Sequence, residues 1–157
     1  MSLAILALMA WVAMIVIGVV PKGFTLTEMV FLYFVITILT ITVFTILDVN
    51  LRWVPLTRQV EGSFAMYICR FIFIPLLVLM GASVLLSRLK AKWRLALSTA
   101  IVLLLCGADR DYLRLNLLEF SSWNGLYSAL MYSAFIVLIG WIARWFASLG
   151  KGGRKIT

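Results

Sequence analysis

The 157-residue chain contains no histidine. The commonest metal ligand, the usual haem ligand and the usual general base near neutral pH are therefore missing. There are two cysteines, Cys69 and Cys106, far apart and in no CxxC spacing. That excludes zinc-ribbon and thioredoxin-like motifs, and both are expected as buried free thiols. Charge is scarce as well: 13% of residues are Asp, Glu, Lys or Arg, and only six are acidic. No GxxxxGK[ST], no GxGxxG after a strand and no GxSxG occurs. The Asp-rich motif of CDP-alcohol phosphotransferases and the serine motif of rhomboid-type proteases are absent too. Asp109 and Asp111 are close in sequence, but two residues apart on a helix they point in different directions. Nothing completes a catalytic set, so the expectation is a protein that is not an enzyme and has neither metal nor cofactor.

What the chain has in excess is apolar surface. Hydrophobic residues make up 64% of it, against roughly 45–50% in soluble domains. A single domain of this length cannot hide that much, so the chain is read as an integral membrane protein. Five apolar runs stand out, about 3–20, 29–47, 64–86, 93–108 and 123–143. None shows the period-2 alternation of a β-barrel strand. The expectation is an all-α, five-helix transmembrane bundle over residues 1–149, followed by a basic tail at 150–157. The first run has no basic n-region and no small-x-small site before Pro21, so it is taken as a retained helix and not a signal peptide.

Orientation follows the positive-inside rule. Arg88, Lys90, Lys92 and Arg94 fill one connection with no acid among them; Arg144, Lys151, Arg154 and Lys155 close the chain; Lys22 falls on the same side. The opposite side receives Asp48, Glu61, Asp109, Asp111 and Glu119. The N-terminus is therefore expected outside and the C-terminus in the cytoplasm. The formal charge of +8 then points to anionic lipid headgroups at the cytoplasmic face as the partner, and away from nucleic acid. Trp53 and Trp123 sit at the outer interface, and Trp93, Trp141 and Trp145 at the inner one, as an aromatic belt requires. Trp11, at mid-span, either packs against another helix or walls a ligand.

Arg70 is the most informative residue. It is expected about six positions into the third helix, roughly 9 Å below its outer end. A charge at that depth calls for a partner, and Asp48 or Asp109 is the expected one. Either the pair is structural or it forms part of a ligand site roofed by Asp109, Arg110, Asp111 and Arg114. Arg110 and Arg114, four apart, share a helix face and suit an anion. The segment 109–120 is expected to lie along the outer interface. Thr37, Thr40, Thr45 and Asp48 form a stripe on the second helix, fit for packing or for a polar path. Pro75 should bend the third helix just below Arg70. Gly125, Ala129 and Ser133 repeat every fourth residue, a small-xxx-small face for close helix approach within the bundle, with a copy of itself, or with another membrane protein.

The stretch Pro21-Lys22-Gly23-Phe24-Thr25-Leu26-Thr27-Glu28, then an apolar helix closing on Asp48, and later Trp123 followed by Ser128, Ala129 and Tyr132, resembles a group of small multi-spanning proteins of bacilli and related spore-forming Firmicutes. The resemblance runs from Pro21 to Tyr132 with gaps. It implies the multi-pass architecture and a bacterial plasma membrane, with no activity attached. The chain departs from that pattern at Asp109–Arg114, which is more charged. The stretch also has a local physical reading: Thr25 or Thr27 caps the second helix and Glu28 sits in its first turn, where negative charge suits the helix dipole. Tryptophan-rich sensory proteins of the translocator type share the length and helix count but carry a Trp-Pro-rich first loop that this chain lacks. A small accessory or assembly partner of a larger membrane system is the leading expectation. A carrier or receptor binding a small molecule or lipid in the outer half is the alternative.

Overall fold

The computed structural model describes residues 2–19, 24–54, 60–117 and 121–152. Pro21, Lys22, Gly23, Glu119, Arg154 and Lys155 lie outside the described residues. Among those that are described, the chain is helical and has no strand. Helix α1, Ser2–Val19, is followed by α2, Leu26–Thr45, which runs on through a π turn, Ile46–Asn50. The third rod is α3, Val60–Ile68, a second π turn, Cys69–Phe73, and α4, Ile74–Leu86. Helices α5, Ala91–Arg114, and α6, Gly125–Gly152, complete the bundle. Four stretches are long and apolar enough to cross a membrane: Leu26–Asn50, Gly62–Leu86, Ala91–Arg114 and Gly125–Ser148. α1 adds eighteen residues without a charge.

The ends of these helices follow from local chemistry. α2 opens on a capping box: the Thr25 N–H donates to Glu28 Oε2 at 2.7 Å and the Glu28 N–H to Thr25 Oγ1 at 3.3 Å. Two otherwise orphaned donors are satisfied reciprocally. Asn124 caps α6, its Oδ1 accepting from the N–H groups of Leu126 and Tyr127 at 3.1 and 3.0 Å. Two helices end through left-handed residues, Arg52 after the first π turn and Asn116 after α5, each with φ of 52°. At Asn116 the bonds Leu117 N–H to Tyr112 O, 3.0 Å, and Asn116 N–H to Leu113 O, 3.1 Å, form a Schellman closure, with an asparagine tolerating the left-handed turn.

That closure corrects the sequence reading of the fourth span. It is not a short helix ending at Ala108 with a strip lying on the interface. It continues helically to Arg114, because Asp109, Tyr112 and Leu117 all turn inward and are buried. The third span also begins earlier than Phe64, at Val60. α6 runs past Ala143 to Gly152, into the expected tail, with Phe146 stacked on Phe31 at 4.5 Å.

Pro75 stands in the first turn of α4, directly after the second π turn. It has no N–H to offer the carbonyl of Phe71 four residues earlier. The Tyr33 hydroxyl of α2 donates to that carbonyl instead, at 2.7 Å. α4 is the centre of the bundle and packs against α1, α2, α5 and α6. Of the third span's apolar window 56% is buried, against 17% for α5. α4 meets α6 at Gly81, where an added Cβ would lie 2.7 Å from Ile136 Cδ1. Internal close approach therefore uses Gly81. On the expected small-residue face, Gly125 and Ser133 are exposed and Ala129 is half-buried. Trp11 is 61% exposed on α1, so it does not pack inside the bundle.

Candidate functional site

Arg70 lies in the second π turn, ten residues on from Val60, or about 15 Å along a helix axis. It is 4% exposed, deeper than its expected position. Its guanidinium carbon stands 4.6 Å from the centre of the Phe44 ring on α2, a cation–π contact in a desolvated setting. Asp48, one turn beyond Phe44, and Asp109 of α5 both attract this charge. The structure thus gathers the three residues expected to form the site's charged centre. Nε and Nη2 of Arg70 have no hydrogen-bond partner.

Asp109 is 6% exposed. The Tyr132 hydroxyl of α6 donates to its Oδ1 at 2.9 Å. Ser128, one turn earlier on α6 and 1% exposed, stands beside the same carboxylate and accepts from Trp123 Nε1 at 2.8 Å. Tyr112, three residues on from Asp109, is 1% exposed; its hydroxyl neighbours the Cys69 thiol and has no hydrogen-bond partner. Cys69 and Cys106 are free. The outcome is a buried polar cluster in an otherwise apolar bundle. A charge there is tolerated only with such company.

The remaining expected site residues stay outside this cluster. Arg110, Asp111 and Arg114 are exposed. Arg114 turns toward Asp111, Nη1 to Oδ1 3.9 Å, with side chains 81% and 53% exposed, an ion pair of little energetic weight. The two-arginine face is therefore half occupied by a carboxylate. Arg110 contributes in another way. A groove of about 650 Å³ runs between α5 and α6, lined by Gly107, Asp109, Arg110, Trp123, Asn124 and Gly125 among others. A Cβ at Gly107 or Gly125 would meet nothing within 4 Å, so its walls are open. The groove joins the surface to one edge of the buried cluster. The threonine stripe breaks up: Thr37 Oγ1 bonds back to the Tyr33 carbonyl at 2.8 Å, Thr40 is buried, and Thr45 is exposed. It lines no path.

Tyr112, Ser128 and Tyr132 were not recognised as site residues from the sequence. Ser128 and Tyr132 are four apart and so share a face of α6; with Asp109 and Tyr112 on one face of α5, that pairing was the available signal. Among the described residues no group of three or more His, Cys, Asp or Glu could hold a metal. The donors and acceptors of the cluster can recognise a polar head, and the apolar walls beside it can hold an apolar body. No known protein family, curated protein or solved structure matches this chain.

Proposed function

We propose that the chain is a non-enzymatic binding protein of a bacterial plasma membrane, a carrier or receptor for a small amphiphile held in the outer half of the bundle. The carrying observation is the groove of about 650 Å³ that reaches Asp109, a carboxylate buried among Tyr132, Ser128 and Arg70. An intramembrane charge kept at such cost is by default functional, and a concave apolar site with a few convergent polar groups is the usual form of a ligand pocket. The ligand's head meets Asp109 and Arg110, and its body lies along Leu103 and Ala129. The basic connection Arg88–Arg94 supports an N-outside, C-inside orientation. The resemblance to multi-spanning proteins of bacilli supports the bacterial membrane.

The test is thermal unfolding in mild detergent against a panel of cationic, zwitterionic and anionic amphiphiles, wild type beside Asp109→Asn. A ligand at a hundred times its Kd stabilises by about 2.7 kcal/mol. A compound that raises the Tm of wild type but not of Asp109→Asn is the expected result; a panel with no such compound would sink the reading. The accessory-partner reading keeps one observation of its own, the unfilled Gly125–Ser133 face of α6. Under it, Ser133→Leu, on the exposed part of that face outside the groove, removes a co-purifying membrane protein while the ligand-dependent Tm stays unchanged.

A further inference from the structure

A second groove, of about 400 Å³, opens at the opposite end of the bundle, where α4 stops, α5 starts and α6 passes. Its walls are apolar, with Leu85 from α4, Leu95 from α5 and Trp141 from α6, and it is lined by two arginines, Arg94 and Arg144. Gly140 leaves the α6 backbone bare there, with Leu85 Cδ2 3.3 Å from where a Cβ would stand. Arg94 Nη1 donates to the Leu85 carbonyl at 3.4 Å, in the last turn of α4. Arg94 Nε is sealed from solvent and has no hydrogen-bond partner.

Among the described residues neither arginine pairs with a carboxylate. Glu28, the acid of that end, is held in its capping box. α5 begins in this groove at Ala91, and Lys90 places no side-chain cap on it, so the free N–H groups of the first turn add to the positive field. Leu95 and Trp141, 64% and 66% exposed, form an open apolar lip beside the two charges. A doubly cationic, acid-free notch with an apolar lip is complementary to one chemistry: a phosphodiester carrying acyl chains.

We propose that this groove is a specific site for the headgroup of an anionic phospholipid. Arg94 and Arg144 hold the phosphate, and an acyl chain lies over Leu95 and Trp141. The proposal does not depend on the outer-half ligand, because the two grooves share no lining residue.

The test is native mass spectrometry of the full chain in mild detergent, titrated with phosphatidylglycerol or phosphatidylcholine. Wild type retains one phosphatidylglycerol about tenfold more tightly than phosphatidylcholine, as charge-assisted bonds to a fixed phosphate require. Arg94→Gln with Arg144→Gln abolishes that preference. Lys90→Gln with Lys92→Gln, which removes equal charge from exposed positions outside the groove, leaves it within about twofold. Arg144→Gln alone changes an exposed side chain, keeps the fold, and weakens retention severalfold. Wild type without a preference for the anionic lipid overturns the proposal. So does an equal loss in the lysine variant, which would mean diffuse attraction. Displacement of the lipid by millimolar inorganic phosphate overturns it in favour of a site for free phosphate.

Discussion

Tyr132 shows what one residue does in this bundle. Its hydroxyl donates to the buried Asp109 carboxylate at 2.9 Å. Tyr132→Phe should lower stability by about 1–3 kcal/mol, the cost of leaving a buried acceptor unsatisfied, measured as a fall in Tm in detergent. A variant as stable as wild type would mean that Ser128 alone satisfies the carboxylate. Arg70 gives a different expectation. Its planar group lies over Phe44, and a lysine ammonium cannot reproduce that contact. Arg70→Lys should therefore destabilise although it keeps the charge, and retention of the full Tm would refute the stacking role. Asp48, Arg70 and Asp109 were readable as related, because charges are rare in apolar runs and three of them fall toward one side. Tyr112 and Tyr132 were not, since a tyrosine in a membrane helix is common and only the fold shows which hydroxyls turn inward.

At the level of elements, the bond from Tyr33 to the Phe71 carbonyl and the break at Pro75 are one device. The proline withdraws a donor from α4, and α2 supplies another. Tyr33→Phe should cost about 1 kcal/mol in the native background and clearly less in Pro75→Ala, where a main-chain N–H is restored. A double-mutant cycle reads the coupling, expected between about 0.5 and 3 kcal/mol; additive effects would separate the two features. Gly81 governs the α4–α6 contact. Gly81→Val should lower stability by about 1–3 kcal/mol through overpacking against Ile136, while Gly125→Val at the open end of α6 should be close to neutral in the isolated protein. The small-xxx-small pattern at Gly125 was visible in the sequence, and the working glycine was Gly81, because spacing identifies faces without saying which face meets a neighbour. The order of the helices was legible from apolar runs alone, and four of the five expected spans are long and apolar enough to cross a membrane. The extension of α5 to Arg114 was not: charges at Asp109, Arg110, Asp111 and Arg114 interrupt the hydropathy while the helical ladder continues beneath them. Asn116, a residue suited to a left-handed closure, was the sign of the true end.

Across the described residues, charge is unevenly divided between the two ends. Arg88, Lys90, Lys92, Arg94 and Arg144 gather where α4 meets α5 and α6 passes, with Glu28 as the acid of that end, while Asp48, Asp109 and Asp111 lie toward the other pole together with Arg52, Arg110 and Arg114. Cysteine introduced at Asn116 should react with an impermeant maleimide from outside intact cells, and cysteine at Ser87 only after permeabilisation; the reverse pattern would invert the proposed orientation. Phe146 on Phe31 and Gly81 against Ile136 tie the spans into one body, so a topology fixed at one connection is fixed for all. In the proposed bacterial membrane and orientation, the cytoplasm of a respiring cell is electrically negative. Turning the molecule over would drag Arg88, Lys90, Lys92 and Arg94 up that gradient, at about 2.3 kcal/mol per charge for each 100 mV. The voltage thereby acts as a ratchet on insertion: copies made while the cell is de-energised should include inverted molecules, whereas copies already in place should keep their direction when the voltage collapses.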